Sequence, residues 1–302
     1  MENVKSNRGG VNVDLSPSEN QKQELQINKP IRLIELFAGI GSQAMALRDL
    51  GVKFEHYRVV EFDKYAIKSY NAIHGTNFPT TDITNIHGDD LGIVDTDSYY
   101  YLLTYSFPCQ DLSLAGKQAG MTKGSGTRSG LLWEVERLLN ETENLPQILL
   151  MENVPQVHNK KNMADFHKWI EFLENKGYSN FWQDLNAKNY GVAQNRNRCF
   201  MVSILGDYIF GFPNPIELNK TMKDYLEDVV EEKYYIKNEK AQKLIQQLIG
   251  NGTLENKILT DRVVVDGTIK NPRERKIANC IKARYDSGIS NQSSDGTFVI
   301  EQ

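Results

Sequence analysis

The sequence predicts an α/β protein: a doubly wound, mostly parallel sheet, followed by a smaller mixed region. Three observations carry this. From Ile31 to about Gly206, short apolar runs alternate with segments of helical spacing. Small or polar residues stand at the carboxyl end of each run, where sheets of this kind bind ligands. After Gly206 the alternation stops. With 302 residues, 40% of them hydrophobic, the chain can bury one large core, or one core plus a smaller domain.

The elements follow in order. Residues 1–29 are polar and poor in large apolar groups, and are expected to form a disordered arm. Ile31 to Phe37 is an apolar run that reads as a buried strand, and Ala38 to Gly41 is a turn of small residues. Ser42 to Leu50 has helical spacing, with Gly51 placed to end it. Tyr57 to Phe62 is the next strand and Lys64 to His74 the next helix. Strands at Tyr100 to Tyr105 and Gln147 to Met151 are followed by helices at Ser129 to Asn140 and Met163 to Lys176, respectively. Residues 30–206 form the expected main domain. Residues 207–302 form a second region, with helical segments at Tyr225 to Glu232 and Glu239 to Leu248. Its β-rich pieces are Arg262 to Val265 and Thr297 to Ile300.

Composition narrows the class. No apolar run approaches the roughly eighteen residues of a membrane span, and no secretory leader is visible. The three cysteines, 109, 199 and 280, are widely spaced and form no CxxC, so neither a disulfide framework nor a structural metal site is expected. A reduced, cytoplasmic setting follows. The net charge of −4 is not that of a basic nucleic-acid binder. Locally, Lys270, Arg273, Arg275, Lys276, Lys282 and Arg284 stand against Glu274, the sole acid among them, a patch suited to phosphates as well as to a solvated face.

Four motifs fall at strand ends. Phe37-Ala38-Gly39-Ile40-Gly41 lets backbone approach a ligand beside a helix N-terminus. Glu61, about twenty residues on, is placed for ribose hydroxyls, and Asp82 for an adenine amino group. Ser106-Phe107-Pro108-Cys109-Gln110 exposes a thiol at the ligand-binding edge, before a long Gly/Ser-rich basic loop. Met151-Glu152-Asn153-Val154-Pro155 offers an acid for a ring nitrogen. In Gln194-Asn195-Arg196-Asn197-Arg198 the arginines alternate, so on one strand they share a face that can hold a base edge or a phosphate. Each alone has an ordinary structural reading: packing glycines, a buried cysteine, a loop carboxylate, a surface strand.

Together, in this order, FAGIG, PCQ, ENV and QNRNR resemble the DNA (cytosine-5) methyltransferase family, over about residues 31 to 205. The resemblance implies a Rossmann-like, class I S-adenosylmethionine-dependent fold with a target-recognition region. Phe37, Ala38, Gly39, Gly41, Glu61, Phe62, Asp82, Ile83 and Pro108 would hold the adenosylmethionine. Cys109 would attack carbon 6 of a flipped cytosine in double-stranded DNA, with Glu152 on nitrogen 3 and Arg198 and Arg196 beside the base. Gln110, Ser113, Asn153, Gln194 and Arg284 would line the DNA.

The family continues past the recognition region with an Arg-x-Leu-x-x-x-Glu segment and a Gly-Asn-Ser helix, and neither stands there in this sequence. Three readings stay open: a truncated relative without activity, a second polypeptide that supplies the missing part, and weak activity of the chain itself. Rival functions are a non-catalytic DNA-binding relative and a methyltransferase acting on transfer RNA. A nicotinamide-dependent oxidoreductase finds no support after residue 100. The chain is expected to be bacterial or phage-encoded.

Overall fold

The structure, a computed structural model, describes residues 23–112, 119–236, 238–254, 262–266, 272–280 and 297–300. Its elements in chain order are β1 Gln23–Glu24, β2 Ile31–Leu36, α1 Ser42–Asp49, β3 Phe54–Val60, α2 Lys64–His74, β4 Tyr100–Tyr105 and α3 Leu132–Glu141. They continue with β5 Ile148–Asn153, α4 Met163–Asn175, β6 Tyr178–Asn186, β7 Gln194–Asn195, β8 Asn197–Leu205 and β9 Tyr208–Ile209. The last are α5 Glu239–Gly250, β10 Val263–Asp266, β11 Ala278–Asn279 and β12 Thr297–Ile300.

Six strands form the central sheet in the order β3-β2-β4-β5-β8-β6. β3, β2, β4 and β5 run parallel, and β8 is antiparallel to both β5 and β6. The expected doubly wound, mostly parallel sheet is thus present. Alternate residues of β2 feed different cores. Ile34 and Leu36 join the layer under α3 and α4, with Tyr101, Leu103, Trp133, Leu138, Phe166 and Trp169. Ile31 and Leu33 join Ala44 of α1 and Leu102 on the other face. Both faces are therefore covered, as a near-continuous apolar strand requires.

Local chemistry explains the helix ends. Asp63 caps α2 by accepting from the backbone N–H of Tyr65 and Ala66, and Gly75, at φ 65°, closes it. In α4, Phe166, Trp169 and Leu173 lie on one stripe and are fully buried.

The chain leaves β2 on one side to make β3, then crosses back to make β4 on the other. The carboxyl ends of β2 and β4 therefore frame the crevice where such sheets bind ligands.

Several expectations need correction. The arm does not extend to residue 29: β1 pairs in parallel with β9, and the Lys29 ammonium donates to the Thr96 carbonyl at 3.2 Å. Residues 1–22 lie outside the described residues. The second strand is Phe54–Val60, three residues earlier than expected at its start, because its register is set by pairing with β2. The helix expected at Ser129 starts as a single 3₁₀ turn, Arg128–Leu131, before α3. No helix spans Tyr225 to Glu232; two short turns stand at Met222–Tyr225 and Glu232–Tyr234, with Val229 exposed between them. That stretch lacks an apolar stripe to bury, which is what stabilises most helices. No described helix is long and apolar enough to cross a membrane.

Candidate functional site

The Gly-rich turn leaves β2 in strained backbone. Phe37 has φ 58°, the one positive φ at a non-glycine residue among those described, and Gly39 and Gly41 have φ 58° and 81°. Gly41 has a steric reason as well: a Cβ there would stand 2.4 Å from His74 Nε2 and 2.6 Å from Tyr70 Cε2. At Gly39 a Cβ would meet nothing within 4 Å, so the turn opens onto free space. Glu61 holds the turn in place. It accepts from Gly39 N–H through Oε2 and from Asp63 N–H through Oε1, both at 2.7 Å. Next to it Phe62 is 73% exposed, unusual for a phenyl ring. Asp82 accepts from the Thr84 amide and hydroxyl through Oδ1, while Ile83 is buried.

Below the turn lies a buried acid the sequence reading passed over. Glu35 of β2 is fully buried, its Oε2 2.6 Å from the Tyr70 hydroxyl, which is 2.7 Å from His56 Nδ1. Burial raises the Glu35 pKa to about 7, with hydrogen bonds from Tyr70 and the Ala44 amide opposing. Burial and the nearby His74 lower the pKa of His56.

The cysteine loop leaves β4 on the other side of the crevice. Gln43 Nε2 donates to Ser106 Oγ at 3.2 Å, linking α1 to this loop. Cys109 is partly exposed. Asn153 Nδ2 donates to the Phe107 carbonyl at 2.9 Å, so the loop is tied to the end of β5. Asn153 is thereby buried structure, not a free DNA contact. Ser129 Oγ donates to the Pro108 carbonyl at 2.6 Å. Asp111 Oδ2 accepts from the Arg128 and Ser129 amides, and Gln110 Oε1 from Arg128 Nη1 at 2.8 Å.

Glu152 stands at the end of β5, the parallel neighbour of β4, in which Tyr105 pairs with Met151. Arg198 Nε lies 2.9 Å from Glu152 Oε1 and Arg196 Nη2 3.7 Å from the same oxygen. Both distances run to the same carboxylate oxygen, Oε1. The spacing suggested one strand carrying both arginines, but only Arg198 lies in a strand. The chain breaks at Arg196: Gln194–Asn195 pairs with β11, and Asn197 onward joins the central sheet. Both guanidinium groups still reach the one carboxylate. Each also approaches Cys280 Sγ, at 3.7 and 3.9 Å.

Behind Glu152, and unforeseen from the sequence, His158, Asp184 and Cys199 hold their donor atoms within 4.8 Å of one another. His158 Nε2 and Asp184 Oδ1 are 2.9 Å apart, and burial pushes the Cys199 thiol up to about 12, with Asp184 and Glu152 adding to it.

Part of the expected basic patch is internally neutralised. Arg275 lies 3.0 Å and Arg273 3.8 Å from buried Asp266. Ser113, Lys270, Lys282 and Arg284 lie outside the described residues. Besides the cluster of His158, Asp184 and Cys199, the residues missed by sequence reading are Gln43, Asp111, Ser129 and the Glu35–Tyr70–His56 group. The last had a signal, an acid inside an apolar strand.

Comparison with known proteins identifies the family and the fold. The family model for C-5 cytosine-specific DNA methylases matches residues 31–296. The type II methyltransferase M2.ScrFI of Lactococcus lactis subsp. cremoris is 35% identical over 69% of this chain and 71% of its own length. The orphan methyltransferase M.SssI of Spiroplasma monobiae is 36% identical over 70% of this chain and 68% of its own. Among solved structures, the methyltransferase EhMeth of Entamoeba histolytica matches the fold with a TM-score of 0.62, at 18% identity, over 87% of this chain and 74% of that one. With its motifs in order on a doubly wound sheet, and with relatives of this identity and coverage, the chain belongs to the C-5 cytosine-specific DNA methylase family and is a DNA cytosine-5 methyltransferase.

Proposed function

We propose that Cys109 is the nucleophile of this reaction and that Glu152, set by Arg198 and Arg196, is its acid. The observation that supports this best is the tie between the two strand ends: the Asn153 amide holds the Phe107 carbonyl, two residues before Cys109, while its neighbour Glu152 is held by the arginine pair. Cytosine is a poor electrophile, so attack at carbon 6 needs nitrogen 3 neutralised at the same time. The thiolate of Cys109 adds to carbon 6 of a flipped cytosine, and Glu152 protonates or hydrogen-bonds nitrogen 3. The electron pair moves toward carbon 5, which takes the methyl group; loss of the carbon 5 proton then expels the thiolate. Arg198 faces the exocyclic oxygen, and Arg196 keeps the carboxylate of Glu152 in place.

A methyltransferase of this family draws its methyl group from S-adenosylmethionine. The residues at the crevice fit that molecule. Free space over Gly39 admits it, Glu61 suits ribose hydroxyls, the exposed Phe62 ring offers a face for adenine, and Asp82 retains an oxygen for its amino group. Ala38, Gly41, Ile83 and Pro108 complete the wall. DNA is read by the region after Gly206 together with Gln110 and Gln194; Ser113 and Arg284, outside the described residues, are further DNA contacts on this reading.

The test is transfer of tritium from labelled adenosylmethionine to mixed-sequence duplex DNA. Cys109→Ser is expected to lower it by roughly 10⁴-fold or more, as loss of a nucleophile does. Transfer by Cys109→Ser at the rate of the unaltered chain overturns the assignment. The same assay run with the chain alone and with added cell extract reveals whether a second polypeptide is needed.

A further inference from the structure

We propose that Ser129 is a positioning residue for Cys109, a brace that fixes the direction in which the thiol leaves its loop. This rests on Cys109 being the nucleophile.

Ser129 is fully buried, and its hydroxyl is used in both directions. Oγ donates to the Pro108 carbonyl at 2.6 Å and accepts from the Asp111 amide at 3.3 Å. These two backbone groups flank Cys109, so one side chain spans the nucleophile. The brace is reciprocal. Asp111 Oδ2 accepts from Arg128 N–H at 2.8 Å and from Ser129 N–H at 3.3 Å, and Leu112 N–H donates back to the Cys109 carbonyl at 3.0 Å. Residues 106–109 have no sheet partner and no helix of their own. Their conformation therefore depends on such cross-links, the others being the Asn153 amide on Phe107 and Gln43 on Ser106.

The one hydroxyl both donates and accepts, so alanine removes both bonds at once. The carboxylate clamp of Asp111 remains in that variant, which keeps the loop folded while freeing Pro108 and Cys109 to shift. A displacement of about 1 Å at a reacting group costs on the order of 10²-fold in rate.

The attack step can be read without a methyl donor. Addition of the thiolate to carbon 6 makes carbon 5 basic enough to take a solvent proton. Loss of the original carbon 5 hydrogen and departure of the thiolate then restore cytosine, so tritium on carbon 5 passes to water with no net reaction. Tritium release from duplex DNA carrying [5-³H]cytosine is measured for the full chain, Ser129→Ala, Ser129→Cys and Cys109→Ser. Melting temperature and DNA affinity are measured alongside. Single-turnover methyl transfer with adenosylmethionine gives the same ratios for a chain that needs the donor bound.

Ser129→Ala is expected to release tritium about 10- to 100-fold more slowly, with DNA affinity unchanged within about twofold. Ser129→Cys, close in size and a weak donor, is expected to fall between the two. A release rate for Ser129→Ala within about twofold of the unaltered chain, while Cys109→Ser releases none, overturns the brace and leaves the nucleophile standing. Release by Cys109→Ser at full rate overturns the nucleophile and the brace with it. If Ser129→Ala does not fold, Ser129→Cys decides: an unchanged rate overturns the brace.

Discussion

The two halves of this chain are built on different terms. From β2 to β8, aromatic and aliphatic side chains such as Tyr101, Tyr105, Phe107, Phe166 and Trp169 are fully buried between the sheet and its helices. After Gly206, the described apolar core is the small cluster of Leu244, Leu248, Leu254, Val263 and Val265. That half has short polar ties to the segment between β6 and β8: β11 on β7, the Ile216 amide to the Asn189 carbonyl, and the Tyr225 hydroxyl to the Gly191 carbonyl. A large core holds strand ends to within fractions of an ångström, as a reacting thiol and acid require. A small one held by backbone pairing tolerates replacement of its surface. The halves meet where Cys280 lies against Arg196 and Arg198.

If the comparison holds, Glu152→Gln should strike the first half's chemistry alone. Methyl transfer is expected to fall about 10²- to 10⁴-fold, the range for a lost acid, while DNA affinity changes little. An equal loss of DNA binding would mean that Glu152 holds the second half in place through its arginines. A pair of core truncations sharpens the contrast. Leu103→Ala and Leu248→Ala should each cost about 2–5 kcal/mol, since both side chains are buried. The first is expected to lower the main unfolding transition and adenosylmethionine binding together. The second should raise hydrogen exchange in α5 and weaken DNA binding, with adenosylmethionine affinity kept. A single transition shared by both variants would merge the halves into one cooperative unit.

The smallest expected effect is the pH dependence carried by Glu35. Its pKa rises from 4.5 to about 7 on folding, so the folded chain favours the neutral acid. Stability from this group is complete below about pH 4.5, where both states are protonated. It is lost as pH rises toward 7, because the unfolded chain ionises first, and reaches on the order of 3 kcal/mol. Glu35→Gln, permanently neutral, should flatten urea-unfolding stability across that window. A variant whose stability keeps the slope of the unaltered chain would assign the slope to other groups.

Much of the first half was legible in the sequence because its signals are local. Apolar runs of six marked β2 and β4, and Asp63 and Gly75 bounded α2 at the expected residues. The second half was less legible. Polar spacing alone promised a helix at Tyr225 to Glu232, where nothing buries it, whereas Leu244 and Leu248 made α5 real. The site divides in the same way. Cys109, Glu152, Phe37 and Glu61 were named from motifs, because a nucleophile and a turn have recognisable neighbours in sequence.

By itself, the sequence determined the sheet's strands, the strand ends that carry chemistry, and the family whose ordered motifs they match. Tertiary structure alone decided what those residues hold on to. Arg196 and Arg198 meet on the Glu152 carboxylate because β8, which carries Arg198, is paired beside β5, which carries Glu152. Ser129 reaches the groups around Cys109 from twenty residues away, and Glu35 finds Tyr70 and His56 across two elements. Such partners are set by strand order and helix packing, which bring distant residues within 3 Å, and no local pattern records that distance.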